Sequence, residues 1–302
     1  MNELRILEDF EKKLIPHAPE KSSVRPEIIG YGEISTIFKI DSIKGYAFKR
    51  LPLFKKRENA LRYEENYKKY CEFLRKAGLT LPEDKTIIID IKRTPISFYI
   101  AQKELPSNSI GNKLIFNIDV EKIKILFSRI IKEIKKVWEF NKDNAGSVEL
   151  SIDGQLSNWA LVGEKLFFID TSTPLFRLEG KEQLDPEPLL KSAPGFLKWI
   201  LKLFFLEDVM NRYYDERLVY IDFAANLYKE QKAELIPMTL KIINKNLSEG
   251  LKRIEIEEVD KYYKEDKMIW TLFLSFRKFD RFIKTKILRK RYEFILPGKI
   301  KR

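Results

Sequence analysis

Three oxygen-bearing side chains stand close together in one polar stretch, SIDGQLSNWALVGEKLFFIDTS, which covers residues 151–172. Asp153 and Asn158 precede a short apolar run, and Asp170 ends the next one, beyond the turn Gly163-Glu164-Lys165. Two such runs around a turn predict a β-hairpin, which would bring the three side chains to one end. They suit a hard divalent cation with a proton acceptor beside it. Because Asp and Asn are also common turn formers, a purely structural role is the alternative.

Residues upstream could complete a site for a metal and a phosphate. GYGEIST, residues 30–36, forms a glycine turn between two predicted strands, and its Gly30 and Gly32 would let backbone N–H groups approach a phosphate. A simple hairpin turn is the alternative. The pattern differs from a dinucleotide fingerprint and from a Walker A loop. Lys49 lies on the next predicted strand and could reach the same phosphates, although strand lysines are commonly only solvated.

The predicted helix that follows supplies a partner for this lysine. Glu64 shares one helical face with Ala60, Tyr67, Cys71 and Leu74. That face is predicted to pack on the sheet, so Glu64, unlike its neighbour carboxylates, is expected to pair with Lys49.

Composition narrows the class of protein. The 302 residues are 44% hydrophobic, which indicates a globular chain with a real core. The chain has a single cysteine, Cys71, and a single histidine, His17. This composition argues against a Cys/His zinc site and against a serine-histidine triad. We expect a cytoplasmic protein, because the start of the chain lacks the apolar core of a signal peptide. The longest apolar run, FLKWILKLFFLEDVM, is interrupted by lysines and too short to span a membrane, so it predicts a buried helix.

The sequence predicts two lobes with different secondary structure. From Pro26 to about Pro106 the pattern is strand-rich with one inserted helix, whereas from Asp119 onward apolar residues recur at three and four positions, which is typical of helices. The joint falls in QKELPSNSIGN, a plausible hinge. We therefore predict an α+β fold with a small β-rich lobe over residues 1–105 and a larger helical lobe over residues 106–302.

The order of these features resembles that in the protein-kinase-like superfamily. The short catalytic loop is most similar to that of its aminoglycoside phosphotransferase branch. The resemblance covers Ile28 to about Pro174. It implies ATP and Mg²⁺ as cofactors and a hydroxyl acceptor of unknown identity. The implied roles are a catalytic base at Asp153, magnesium ligands at Asn158 and Asp170, and a phosphate contact at Lys49 oriented by Glu64. The implied nucleotide-binding positions are Gly30, Gly32, Ser35, Lys49, Glu64, Gln102, Glu104 and Leu105.

The sequence departs from the family pattern at several positions. Ser35 replaces the third glycine, and Ser151 replaces the aromatic residue or histidine that normally braces the catalytic loop. Ile152 stands where Arg or Gly is usual, and Asp170-Thr171-Ser172 replaces the Asp-Phe-Gly triplet. These changes keep a nucleotide-binding pseudokinase scaffold as an alternative to an active phosphotransferase that acts on a small-molecule or atypical substrate.

The net charge of +12 indicates an anionic partner without identifying it. The basic helix predicted near the C-terminus leaves a nucleic-acid-binding protein as a further, less favoured alternative. The spacing of its aromatic residues, Phe279, Phe282, Tyr292 and Phe294, suits core packing better than base stacking.

Overall fold

The computed structural model describes residues 3–32, 35–92, 94–184 and 206–297. A helix, α1 (Glu3–Lys13), precedes a five-stranded antiparallel sheet. The strands are β1 (Glu27–Tyr31), β2 (Thr36–Ile40), β3 (Ile43–Phe54), β4 (Asp84–Ile89) and β5 (Ile96–Lys103), in the order β1-β2-β3-β5-β4. The register places Lys49 of β3 between Ile37 and Ile100.

One long helix, α2 (Arg57–Lys76), is inserted between β3 and β4. Its buried residues recur every three or four positions, as an amphipathic helix requires, and are Ala60, Tyr63, Tyr67, Tyr70, Cys71 and Leu74. This face packs into the main core, so the helix connects the sheet to the second lobe.

Helices dominate the second lobe. A short α3 (Gly111–Leu114) leads into α4 (Val120–Asp143), whose first turn is capped by the Asp119 side chain. Within residues 206–297, the described part of the lobe beyond the small sheets, the helices are α5 (Leu206–Tyr213), α6 (Glu216–Lys229), α7 (Ile236–Asn246) and α8 (Ile256–Phe282). A π-helical segment, Ile283–Ile287, continues α8.

Two small antiparallel sheets stand between α4 and α5. β7 (Trp159–Val162) pairs with β8 (Lys165–Phe168), and Gly163 in their turn has φ +57°. The predicted hairpin is therefore confirmed. The other sheet has the order β10-β9-β6, from β6 (Val148–Leu150), β9 (Phe176–Leu178) and β10 (Lys181–Glu182).

These elements form a small antiparallel sheet lobe and a larger helical lobe, which confirms the predicted two-lobed α+β architecture. The boundary between residues 105 and 106 stays a prediction. One core cluster joins α1 to the sheet and includes Ile295, so the segment that follows α8 packs against the first lobe.

The predicted buried helix in FLKWILKLFFLEDVM lies largely outside the described residues, since only its last five residues fall within α5. Among the described helices, none combines the length and apolarity that crossing a membrane requires.

Candidate active site

The centre of the candidate site is an ion pair between the two lobes. Lys49 on β3 donates from Nζ to Asp170 Oδ1 at 3.0 Å and to the Ile169 carbonyl at 2.8 Å. The Lys49 side chain is 8% exposed, so the alternative of a solvated strand lysine is wrong. Asp170 lies just after β8 and remains 32% exposed, which lets a ligand reach it.

Neighbouring groups stabilise the ionised form of Asp170. Burial opposes its ionisation, but Lys49 and hydrogen bonds from Ser172 outweigh that effect and lower the pKa of Asp170. Ser172 donates from its hydroxyl to Asp170 Oδ1 at 2.7 Å. Asp170 is therefore a carboxylate at neutral pH.

Backbone and side-chain hydrogen bonds bring Asp153 and Asn158 to the same place. The Asn158 amide donates to the Asp153 carbonyl at 3.0 Å, and the Asn158 carbonyl accepts from the Ile169 backbone N–H at 2.8 Å. The second contact places Asn158 beside the residue that precedes Asp170. The three side chains predicted from one stretch of sequence thus lie at one end of the hairpin.

Asp153 has an unusual electrostatic environment. Burial, followed by the nearby carboxylates of Asp222 and Asp170, raises the pKa of Asp153 well above its ordinary value. Its Oδ1 accepts a hydrogen bond from the Gln155 backbone N–H at 3.1 Å, which opposes the rise. A carboxyl with a raised pKa beside a carboxylate with a lowered one is the pattern that separates acid and base roles.

Asp222, on α6, is a further carboxylate near the site that was not predicted from the sequence. Its pKa is raised chiefly by burial, while Lys229 opposes the rise. Gln155 links this helix to the catalytic loop, because it hydrogen-bonds Asp222 and accepts from the Asn226 amide at 2.9 Å. Nothing in the local pattern around Asp222 distinguishes it from an ordinary helix residue.

The side-chain oxygens near the ion pair suit a Mg²⁺ ion that is bound together with a nucleotide. They suit a metal ion held by protein ligands alone less well. No group of three or more His, Cys, Asp or Glu side chains in the described ranges could hold a metal ion. Asp170 and Asn158 supply a carboxylate and an amide oxygen, and the Asn158 amide nitrogen is already directed to Asp153. Mg²⁺ commonly uses one or two protein carboxylates and takes its other ligands from water and phosphate.

The predicted Glu64–Lys49 pair is wrong. Glu64 accepts from the Thr86 hydroxyl at 2.5 Å and from Lys68 at 2.9 Å, so it faces β4 and its own helix. Asp170 takes its place as the counterion of Lys49. Glu64 is offset from the buried face of α2. It therefore bonds Thr86 of strand β4, which follows the helix in the sequence, instead of Lys49.

Three tyrosines of α2, rather than Glu64, face the candidate site and contact the residues beside Asp170 and Asp153. Tyr63 donates to the Ser172 carbonyl, and the Tyr67 hydroxyl lies 3.2 Å from Thr171 Oγ1. Tyr70 donates to the Ser151 carbonyl at 2.8 Å. The spacing of 63, 67 and 70 on one face is visible in the sequence and could have indicated this role.

These contacts also hold the backbone of the predicted catalytic loop, next to Ser151. Ser151 is buried, its hydroxyl donates to the Tyr213 carbonyl, and its backbone N–H donates to the Leu175 carbonyl at 2.9 Å. Together with Tyr70, three contacts fix the backbone just before Asp153. These contacts hold the loop although Ser151 lacks the larger side chain that the resemblance implies at this position.

The described residues on either side of the glycine turn pair with one another across β1 and β2. Gly30 pairs with Ile37, and the Gly32 N–H donates to the Ser35 carbonyl at 3.0 Å. A Cβ on Gly32 would lie 2.5 Å from the Ser35 hydroxyl, so that hydroxyl would have to rotate away to make room for it. The turn lies between β1 and β2 as predicted, whereas a contact with phosphate stays a prediction.

The predicted hinge residues are largely engaged with the protein itself. Gln102 is buried and donates to Thr171 Oγ1 at 3.1 Å. The Glu104 N–H donates to the Gly45 carbonyl at 2.8 Å, and its side chain pairs with Lys39. Leu105 follows in irregular backbone. Gln102 thus links the hinge to the loop after Asp170, and nucleotide contacts by these residues stay predictions.

Comparisons with known proteins give one family and a structural match. No curated protein matches the chain. Among solved structures, WaaP in complex with acyl carrier protein matches at 11% sequence identity and a TM-score of 0.33, covering 82% of this chain and 91% of that chain. A family model matches residues 14–281, which is most of the chain. The chain therefore belongs to DUF6206, a family of unknown function.

Proposed function

We propose that this protein is an ATP- and magnesium-dependent phosphotransferase that acts on a hydroxyl of a small-molecule or atypical acceptor. The observation that carries the proposal is the Lys49–Asp170 ion pair, which joins residues 121 positions apart. Asn158 and Asp153 lie on the loop beside it. Phosphoryl transfer needs mainly alignment and charge neutralisation, which these groups can supply.

Each residue has a role that its contacts support. Asp170 and Asn158 would hold Mg²⁺, which neutralises charge on the nucleotide phosphates when bound. Lys49 would bind a phosphate oxygen by a charge-assisted hydrogen bond. Asp153 would accept the acceptor's hydroxyl proton, and its raised pKa brings it toward the range in which a general base works best.

The test of this proposal is a nucleotide-dependent thermal shift. ATP with Mg²⁺ should raise the Tm of the wild-type protein, because a ligand of the folded state stabilises it by mass action. Lys49→Ala should lose most of that increase. Lys44→Ala, an exposed lysine of the same strand, is the matched control and should retain it. Equal shifts in both variants would exclude Lys49 as a phosphate contact, and no shift in the wild type would exclude the nucleotide site.

A pseudokinase scaffold is the second candidate. It is favoured by internal contacts that already occupy groups of the site, namely the Glu104 N–H, which donates to the Gly45 carbonyl, and Asp170 Oδ1, which accepts from the Ser172 hydroxyl. Slow ATP hydrolysis, with water as the acceptor, separates the two candidates. A protein that shows the thermal shift but neither hydrolyses ATP nor phosphorylates any of a panel of sugars, nucleosides, lipids and peptides would be the scaffold.

A further inference from the structure

One side of α8 exposes large apolar side chains. Met268, Leu272, Phe279 and Phe282 are 66%, 52%, 51% and 54% exposed, and their spacing of four, seven and three places them on one helical face. Ile287 and Leu288, which lie just beyond the end of α8, are 59% and 51% exposed. We call these six residues the C-terminal patch. A contiguous apolar set of this kind marks an interaction surface.

This exposure corrects one interpretation of the sequence. Phe279 and Phe282 do not pack in the core as their spacing suggested, whereas Tyr292 and Phe294 are 1% and 8% exposed and do. The difference arises because the chain leaves the helix after Ile287 and returns toward the first lobe, so that only the later aromatic residues meet other elements.

Positive charge surrounds the patch. The stretch RKFDRFIKTKILRKR, residues 277–291, contains a single acidic residue, Asp280. Asp280 is buried and paired with Lys284 at 2.6 Å, so it contributes little negative charge to the surface. Lys278, Lys286, Arg289 and Lys290 are exposed.

A basic cavity lies at the end of the patch. Its volume is about 370 Å³, and it is lined by Leu14, Ile15, His17, Thr285, Arg289, Lys290 and Arg291. Arg291 is engaged with Glu11 and Glu293. Arg289 and Lys290 form no ion pair with any residue in the described ranges, so they remain available to an anion. The cavity is large enough for a phosphate-bearing group.

We propose that the C-terminal patch binds the surface of an anionic phospholipid bilayer, with Arg289 and Lys290 at the lipid phosphates and the apolar side chains inserted between headgroups. Lys and Arg near a membrane surface are attracted to acidic lipids, and exposed apolar residues on the same element add the energy of insertion. Single-stranded nucleic acid is the less favoured partner. Met268, Leu272, Ile287 and Leu288 offer no aromatic ring on which a base can stack.

Vesicle co-sedimentation of the full chain tests the proposal. Wild type should bind vesicles of phosphatidylcholine with phosphatidylglycerol, bind pure phosphatidylcholine weakly, and lose binding as salt is raised. Arg289→Glu with Lys290→Glu should weaken binding at least ~10-fold. Phe279→Ser with Phe282→Ser should also weaken binding while retaining the salt dependence.

Matched controls come from α2 and α4. Lys132→Glu with Lys142→Glu makes the same change of net charge at exposed positions elsewhere, and Leu61→Ser with Ile125→Ser removes exposed apolar residues elsewhere. Both should bind as wild type does. Equal losses in the control variants, no preference for phosphatidylglycerol, or binding of an oligonucleotide but not of vesicles would each overturn the proposal. A melting curve of every variant separates lost binding from lost folding.

Discussion

At the scale of single residues, the site combines two carboxylates with opposite pKa shifts. Lys49 and Ser172 stabilise the ionised form of Asp170, whereas Asp222 and Asp170 disfavour the ionised form of Asp153 beyond the effect of burial. An ionised Asp153 in these surroundings lowers the stability of the folded state. Residues that carry this cost are characteristic of functional sites.

This cost gives a prediction for Asp153→Asn. The folded state keeps the Asp153 proton to a higher pH than the unfolded chain does, so the stability of the wild type falls as pH rises from about 4, the ordinary carboxyl value, through the raised pKa. Asn cannot ionise and can still accept from the Gln155 N–H. The variant should therefore be more stable than wild type at neutral pH, and the gain should shrink toward pH 4.

Two measurements on the same variant check this prediction. Melting curves across the pH range give the stability difference, and a difference independent of pH would contradict the raised pKa of Asp153. Phosphotransfer or ATP hydrolysis should fall at least ~100-fold, the scale of a positioned general base. Unchanged turnover would remove Asp153 from the proposed base role while leaving the stability argument intact.

At the scale of elements, α2 holds both functional loops through its tyrosines. The hydroxyls of Tyr63 and Tyr67 reach the segment after Asp170, and that of Tyr70 reaches the residue two before Asp153. Tyr70 also stacks on Phe176 of β9, with ring centroids 6.5 Å apart. One helix face therefore couples the sheet lobe to the candidate site.

We expect Tyr70→Phe to loosen the catalytic loop. The variant keeps the ring but removes the donor to the buried Ser151 carbonyl, which costs roughly 1–3 kcal/mol of stability. Amide hydrogen exchange should become faster in residues 151–158. Tyr46→Phe on β3, whose hydroxyl bonds no residue in the described ranges, is the control and should leave exchange there unchanged. Faster exchange throughout the molecule would instead indicate a general loss of stability.

The order of elements and the gathering of Asp153, Asn158 and Asp170 could be predicted from the sequence, because strand and hairpin patterns set them locally. The approach of Lys49 to Asp170, which is 121 positions away, could not be read from local patterns. The partner of Glu64 could not. Helical spacing tells which residues share a face, but the strand that meets that face depends on long-range packing, and here Thr86 of β4 takes the bond. The same limit applies to Phe279 and Phe282, whose exposure depends on where the chain turns after α8.

At the scale of the whole molecule, a buried ion network ties the two ends of the chain to the sheet. Arg50 on β3 donates to both Glu11 oxygens, at 2.8 and 2.5 Å, and to the Glu293 carbonyl at 2.8 Å. Tyr99 of β5 also donates to Glu11 at 2.5 Å. Arg50 and Glu11 are 2% and 1% exposed. Because Arg50 follows Lys49 directly, this network also fixes the strand that carries the candidate phosphate contact.

Glu11→Gln should destabilise the fold strongly. It leaves the Arg50 charge buried and poorly compensated, and breaking a buried pair costs about 3–5 kcal/mol. Asp9→Asn, in the exposed pair with Lys13 on the same helix, should cost less than about 1 kcal/mol. Burial opposes the charge of Glu11, but Arg50 and Tyr99 lower its pKa overall, so this stability is present above the ordinary carboxyl pKa and is lost as pH falls through the lowered value. Urea unfolding at neutral and acid pH measures both effects, and a Glu11→Gln midpoint equal to that of Asp9→Asn would show that the network does not hold the ends of the chain.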